Sequence, residues 1–125
     1  MIAVADINAY LRTIPNLGGT QFVGNEFAAT SPDDCAYTRV TGGYAPSEWT
    51  SKAKPSFQVV LRTKLASVAE TRANVLYADL HRKTEFNFGQ TRVVKCVADQ
   101  SAPLYLGKDE SGRTLYSLNF TITTI

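Results

Sequence analysis

From Tyr116 to Thr123 the sequence alternates without a break: Tyr116, Leu118, Phe120 and Ile122 face one way, Ser117, Asn119, Thr121 and Thr123 the other. A strand has a side-chain period of two, so this segment predicts a strand with one buried and one wetted face. Just before it, Gly107-Lys108-Asp109-Glu110-Ser111-Gly112 is a polar turn with glycine at both ends, and Pro103 to Leu106 leads into that turn. The pattern predicts a hairpin. A half-buried sheet needs a second layer to cover its apolar face, and the rest of the chain has to supply it.

Phe57, Val59 and Leu61 alternate with Gln58, Val60 and Arg62, which predicts a second strand with an apolar face and a mixed one. The covering layer is predicted next. Ser67-Val68-Ala69-Glu70 has the capping-box pattern, and Val68, Arg72, Val75, Leu76 and Leu80 follow on or beside one helical stripe, with Ala69 and Ala73 allowing close approach to a sheet. The basic pair Arg82-Lys83 suits the negative end of that helix. A shorter helix is predicted at the start, where Val4, Ile7, Leu11 and Ile14 share a face and Pro15 with Gly18-Gly19 stops the run.

Thr20 to Phe27 reads as a further strand, and Ser31-Pro32-Asp33-Asp34 as a turn. Cys35 to Thr41 alternates as a strand that Gly42-Gly43 should end. Tyr44 to Pro55 has no period of either kind and reads as a long loop, of the sort that is often functional. Phe86 and Phe88 precede Gly89-Gln90, after which Arg92, Val94 and Cys96 alternate with Val93, Lys95 and Val97 as another strand. Together these predict one α+β domain over residues 1–125: an antiparallel-rich β-sheet with an N-terminal helix and one longer helix packed on it. Its expected core is Ile7, Leu11, Phe57, Val59, Leu61, Val75, Leu76, Leu80, Val94, Tyr116, Leu118 and Phe120.

Composition narrows the class. With 44% hydrophobic and 19% charged residues, the 125-residue chain sits near globular averages, which excludes disordered, collagen-like and coiled-coil readings. No apolar run is long enough to cross a membrane as a helix, and the opening residues lack the basic flank and apolar core of a signal peptide, so an intracellular chain with no membrane partner is expected. Net charge is only +2, but it is uneven. Two basic and five acidic residues lie before Lys52, nine and three between Lys52 and Lys95, and two and three from Cys96 onward.

Catalytic constellations are missing from the pattern. His81 is the only histidine, and Cys35 and Cys96 have no metal-ligand spacing, so no metal, cofactor or enzymatic activity is expected. The cysteines read as small buried hydrophobes, with a disulfide between them the lesser alternative. His81 reads as a surface or half-buried residue at a helix end. Asp33-Asp34 and Asp109-Glu110 lie in turns, where carboxylates commonly serve local hydrogen bonding. Asn119-Phe120-Thr121 fits the glycosylation pattern but falls in a core strand and is set aside. Trp49, Lys52, Lys54, Phe57, Arg62 and Lys64 form a thin version of the basic and aromatic platform that binds single-stranded nucleic acid. Phe57, on the apolar face, reads as core. Trp49, in a polar loop, either folds over the core or anchors a partner.

Taken in order, Pro55-Ser56-Phe57-Gln58-Val59-Val60-Leu61-Arg62, the helix running to His81, Pro103 through Arg113, and Tyr116-Ser117-Leu118-Asn119-Phe120 resemble the minor capsid or tail terminator proteins of long-tailed bacteriophages and prophages. The likeness covers roughly the last 70 residues, while the first 54 match in layout. It implies a structural virion protein, not an enzyme, that forms a ring, expected as a homohexamer, on the head-proximal end of the tail tube. There it stops tube polymerisation and meets head-completion or connector proteins. The implied partners are further copies of the chain, the major tail tube protein and the connector, and the implied location is the host cytoplasm during assembly and then the virion tail. The alternative is a small nucleic-acid-binding accessory protein using the basic middle third. Expected contact residues are Trp49, Lys52, Lys54, Arg62 and Lys64, with Lys108, Asp109, Glu110 and Arg113 at the hairpin tip.

Overall fold

The alternating segment forms the strand at the centre of the sheet. A computed structural model describes residues 2–125, in the order α1 (Val4–Leu11), β1 (Gln21–Gly24), β2 (Cys35–Tyr44), β3 (Lys54–Thr63), α2 (Ala66–Leu80), β4 (Lys83–Phe88), β5 (Thr91–Ala98), β6 (Leu104–Lys108) and β7 (Thr114–Thr124). The seven strands make one mixed sheet in the order β1-β2-β3-β7-β5-β4, with β6 also paired to β7. Only β1 and β2 pair in parallel; the other pairings are antiparallel. The predicted α+β class, with a short first helix and a longer second one, is what the chain adopts.

One flank of β7 pairs with β3 from Thr114 to Thr121, while the other is shared by β6 (Thr114 to Ser117) and β5 (Phe120 to Thr124). Between these two partners lies a seam that Gln100 fills. Its Oε1 accepts the Asn119 amide at 3.2 Å, its Nε2 donates to the Ser117 carbonyl at 2.9 Å, and the Asp99 amide donates to the Asn119 carbonyl at 2.8 Å. A side chain here satisfies ladder groups that a strand residue would otherwise pair.

Both helices bury their apolar sides in one cluster on one sheet face, with Ile7 and Leu11 from α1, Leu76 and Leu80 from α2, and Phe57, Val59, Leu61, Leu118, Phe120 and Ile122 from the sheet. Phe57 stacks on Phe120 at 5.3 Å and meets Phe88 edge-on at 5.7 Å. Each such large side chain contributes about 1.5–3 kcal/mol of burial before ordering costs.

Five local expectations change. β2 does not stop at Gly42-Gly43 but passes through them to Tyr44, with both glycines at positive φ and a register shift after Val40. A Cβ on Gly43 would lie 2.2 Å from the Lys54 carbonyl oxygen, so only glycine lets β2 and β3 approach there. The capping box does not form: the chain enters α2 at Leu65 with no side-chain cap, the Thr63 hydroxyl donates to the Leu65 carbonyl at 2.7 Å, and Ser67 is already inside the helix. In β5 a register shift between Val93 and Lys95 puts Val93 and Cys96 in the core and leaves Val94 half-buried. Val75 and Tyr116 also pack at the edge of the core rather than inside it. Lys83 to Phe88 is a strand in its own right, paired with β5 through the Gly89-Gln90 turn.

At one end of the second sheet face, the segment between β1 and β2 packs over Arg62. There Arg62 is 5% exposed, its guanidinium donating to the Pro32 carbonyl at 2.7 Å and the Asp33 carbonyl at 3.3 Å while lying 4.1 Å from the centre of the Phe27 ring. Cys35 stands opposite Arg62, whereas Cys96 belongs to the helix-side core, and both thiols are free and buried.

Candidate functional site

The expected contact residues fall at the two ends of the central strands. β3 runs ten residues, Lys54–Thr63, which separates its ends by roughly 30 Å. At its first end β2 and β3 extend past the covered part of the sheet as an arm, and residues 40–52 are all exposed. Its tip is folded. The Ser47 hydroxyl accepts the amides of Trp49 and Thr50, each at 3.1 Å, and the Ser47 amide donates to the Lys52 carbonyl at 3.2 Å. Trp49 is 91% and Tyr44 72% exposed. Trp49 does not fold back over the core. A shallow cleft of about 500 Å³ lies between Tyr44 and Lys52–Lys54.

The other end gathers Lys64 and the β6–β7 turn. Asp109 organises that turn: its carboxylate accepts the amides of Ser111 at 3.0 Å and Arg113 at 2.9 Å and the Arg113 Nε at 2.7 Å. Desolvation pushes the Asp109 carboxyl up, but the hydrogen bonds and charge of Arg113, with the Ser111 amide, together outweigh it and hold the group below the usual carboxylate range. Arg113 also reaches Asp33 at 3.3 Å. The Lys64 amide donates to Asp34 at 3.2 Å. Lys64, Lys108 and Glu110 are exposed and, among the described residues, form no ion pair.

Arg62 is the exception among the expected contacts, since its guanidinium is consumed inside the subunit and is not offered to a partner. The basic middle third is likewise dispersed. Lys52 and Lys54 sit at one end and Lys64 at the other, Arg72 pairs with Asp34, Lys83 with Asp79 and Arg92 with Glu85. Phe57 is core. Among the described residues, the group singled out by the sequence therefore does not form one platform, although Tyr44, Lys54 and Lys95 line a common cleft.

The remaining polar chemistry is structural. The His81 Nδ1 accepts the Ala98 amide at 3.1 Å, and its ring lies 5.1 Å from Tyr77. Burial pushes the Cys35 thiol up, and burial with the nearby Asp99 and Asp79 charges pushes Cys96 up to about 12, so neither is a thiolate nucleophile at neutral pH. No group of three or more His, Cys, Asp and Glu is placed to hold a metal among the described residues, and no described helix is long and apolar enough to cross a membrane. One exposed feature was not singled out by the sequence reading: Leu104, Tyr105 and Leu106 in β6 are 55%, 53% and 50% exposed. Its only signal was an apolar run beside the turn.

A two-helix, seven-stranded α+β subunit whose polar clusters stabilise turns and whose exposed groups lie at its ends has the make-up of a structural, assembly-forming protein. A family model described as bacteriophage tail terminator protein matches residues 9–124, and the chain belongs to that family. It is thus a structural tail protein of a phage-like particle, in a family of virion proteins rather than enzymes. The fold is similar to that of a chain in a solved structure titled virion of native gene transfer agent particle, with a TM-score of 0.65 and 14% identity over 99% of this chain and 98% of that one. No curated protein matches it.

Proposed function

We propose that this protein closes the head-proximal end of a tail tube as a ring of identical subunits, a homohexamer on a sixfold tube, stopping polymerisation and presenting its outer surface to the head-completion proteins. The reading rests on membership of the terminator family together with one observation: two sets of exposed residues at opposite ends of β3 and β7. A cap between tube and head must touch two partners at once, and a rigid sheet carrying a loop at each end meets that demand. Trp49, Lys52 and Lys54 form one surface; Lys64, Lys108 and Glu110, steadied by Asp109 and Arg113, form the other. Assembly takes place in the host cytoplasm and the finished ring stays in the virion.

Withholding the protein from an assembling particle tests this. Tubes of uncontrolled length and heads without tails are expected, both corrected by adding the purified chain. Tails of normal length joined to heads in its absence would refute the reading.

A further inference from the structure

Among the described strands, β4, β6 and part of β2 each leave a flank without a neighbouring strand, and those of β2 and β6 complement one another. β1 covers β2 only from Cys35 to Thr38, so the flank of β2 from Arg39 to Tyr44 has no neighbouring strand. On the opposite side of the sheet, β6 pairs with β7 through one flank and leaves the other open. β1 has no comparable opening, because the Arg12 guanidinium donates to the Phe22 carbonyl at 3.0 Å. Successive strand residues point to opposite faces, so the exposed run Leu104-Tyr105-Leu106 puts apolar surface on both sides of the β6 edge. Long open edges with apolar side chains are templates for another strand.

A second copy of this chain fits the opening in direction, length and charge. β2, β3, β7 and β6 are linked by successive antiparallel pairings, so β2 and β6 run in opposite senses. A copy placed alongside without being turned over has its β2 antiparallel to β6, and sliding it along the strands by about six residues, roughly 20 Å, brings its Arg39–Tyr44 edge level with β6. The open lengths match, at five residues in Leu104–Lys108 against the stretch from Arg39 to Tyr44. The arm is basic, with Arg39, Lys52 and Lys54 against Glu48, while at the β6 end Lys108 and Glu110 are unpaired among the described residues, Asp109 pairs with Arg113, and Glu70 acts on Tyr116, the β7 partner of Tyr105. Antiparallel alignment carries Glu110 toward Arg39 and Leu104 toward Tyr44.

We propose that neighbouring copies join by continuing the sheet, β6 of one subunit pairing with the Arg39–Tyr44 edge of β2 in the next. The contact is head-to-tail, joining two different patches, and it closes into a ring when the rotation per step divides a full turn. Its closure rests on the ring reading above; the pairing itself rests on the edges. The exposed parts of Tyr44, Tyr105 and the flanking leucines fall below the roughly 1,200 Å² of a stable pairwise complex. Free subunits are therefore monomeric when dilute and join on the tube or at high concentration.

Engineered cysteines read the pairing directly, since Cys35 and Cys96 are fully buried and silent. Thr41→Cys and Leu106→Cys, each made in the whole chain and checked for folding, are mixed under oxidising conditions at high concentration and on tails; Tyr44→Cys with Leu104→Cys serves if either first variant does not fold. The expected result is a disulfide dimer in the mixture and none from either variant alone. A dimer from Leu106→Cys alone would overturn the pairing in favour of a two-fold contact between β6 edges. Rings seen by electron microscopy without the mixed dimer would overturn the pairing and leave the ring standing. A chain that stays monomeric at every concentration and on tails would overturn both.

Discussion

Arg72 of α2 donates to Asp34 at 3.0 Å and to the Thr20 hydroxyl at 3.1 Å, tying the helix to the entrance of both β1 and β2. The guanidinium also fills the space over Gly18, where a Cβ would lie 2.3 Å from its Nη2. Helix, parallel strand pair and the turn after α1 are thus fixed by one side chain. Arg72→Ala is expected to lower stability by about 1–2 kcal/mol, since Asp34 is partly solvated and the ion pair is screened. Arg72→Lys should recover only part, because one ammonium cannot reach both partners in the same geometry. Denaturant titration of both variants checks this.

Leu76 is fully buried on the sheet-facing side of α2. Leu76→Ala is expected to cost about 2–5 kcal/mol in chemical denaturation through lost transfer energy and the cavity left behind. A change below 0.5 kcal/mol, on the scale of surface substitutions, would mean that α2 presents another side to the sheet.

The two thiols give a pH-dependent prediction. Cys96 is raised from 9 to about 12, so the folded state holds its proton where the unfolded state releases it. The associated stability is complete below pH 9 and is lost progressively as pH rises toward 12. Thermal midpoints measured from pH 8 to 11 should fall less steeply in Cys96→Ala than in the parent, although that variant starts lower. Neither thiol should react with a bulky thiol reagent until the chain unfolds.

Trp49 is held on a turn that its own side chain does not build. Trp49→Ala should leave the thermal midpoint nearly unchanged while reducing incorporation into tails, read by co-sedimentation with tail tubes. Loss of folding in this variant would return Trp49 to the core.

Where burial follows period two on an uninterrupted ladder, the sequence could be read directly: β7 and β3 are the examples, and Phe57, Leu61, Leu118 and Phe120 lie where their alternation puts them. Val94 was misplaced because a bulge in β5 changes the phase after Val93, and period alone carries no sign of a bulge. Gly42-Gly43 read as an end because glycine pairs usually mark turns, yet here they let two strands approach more closely. Ser67 and Glu70 satisfy a local pattern that lost to the way Thr63 and Leu65 lead the chain off β3. The ends of the sheet were legible as charged or irregular loops. Arg62 was not, because its burial depends on Phe27 and Pro32, about 30 residues away in sequence.

The place of β7 in the sheet governs the order of events during synthesis. β3, β5 and β6 all hydrogen-bond to this strand, and it leaves the ribosome after every one of them. Until it arrives, β1 to β3 on one side and β4 with β5 on the other have no common backbone partner, and their apolar faces lack Leu118, Phe120 and Ile122. Folding is therefore late and long-range rather than progressive, with slow closure expected from such non-local pairing. A nascent chain cut short before Thr114 lacks the strand that joins the two halves of the sheet.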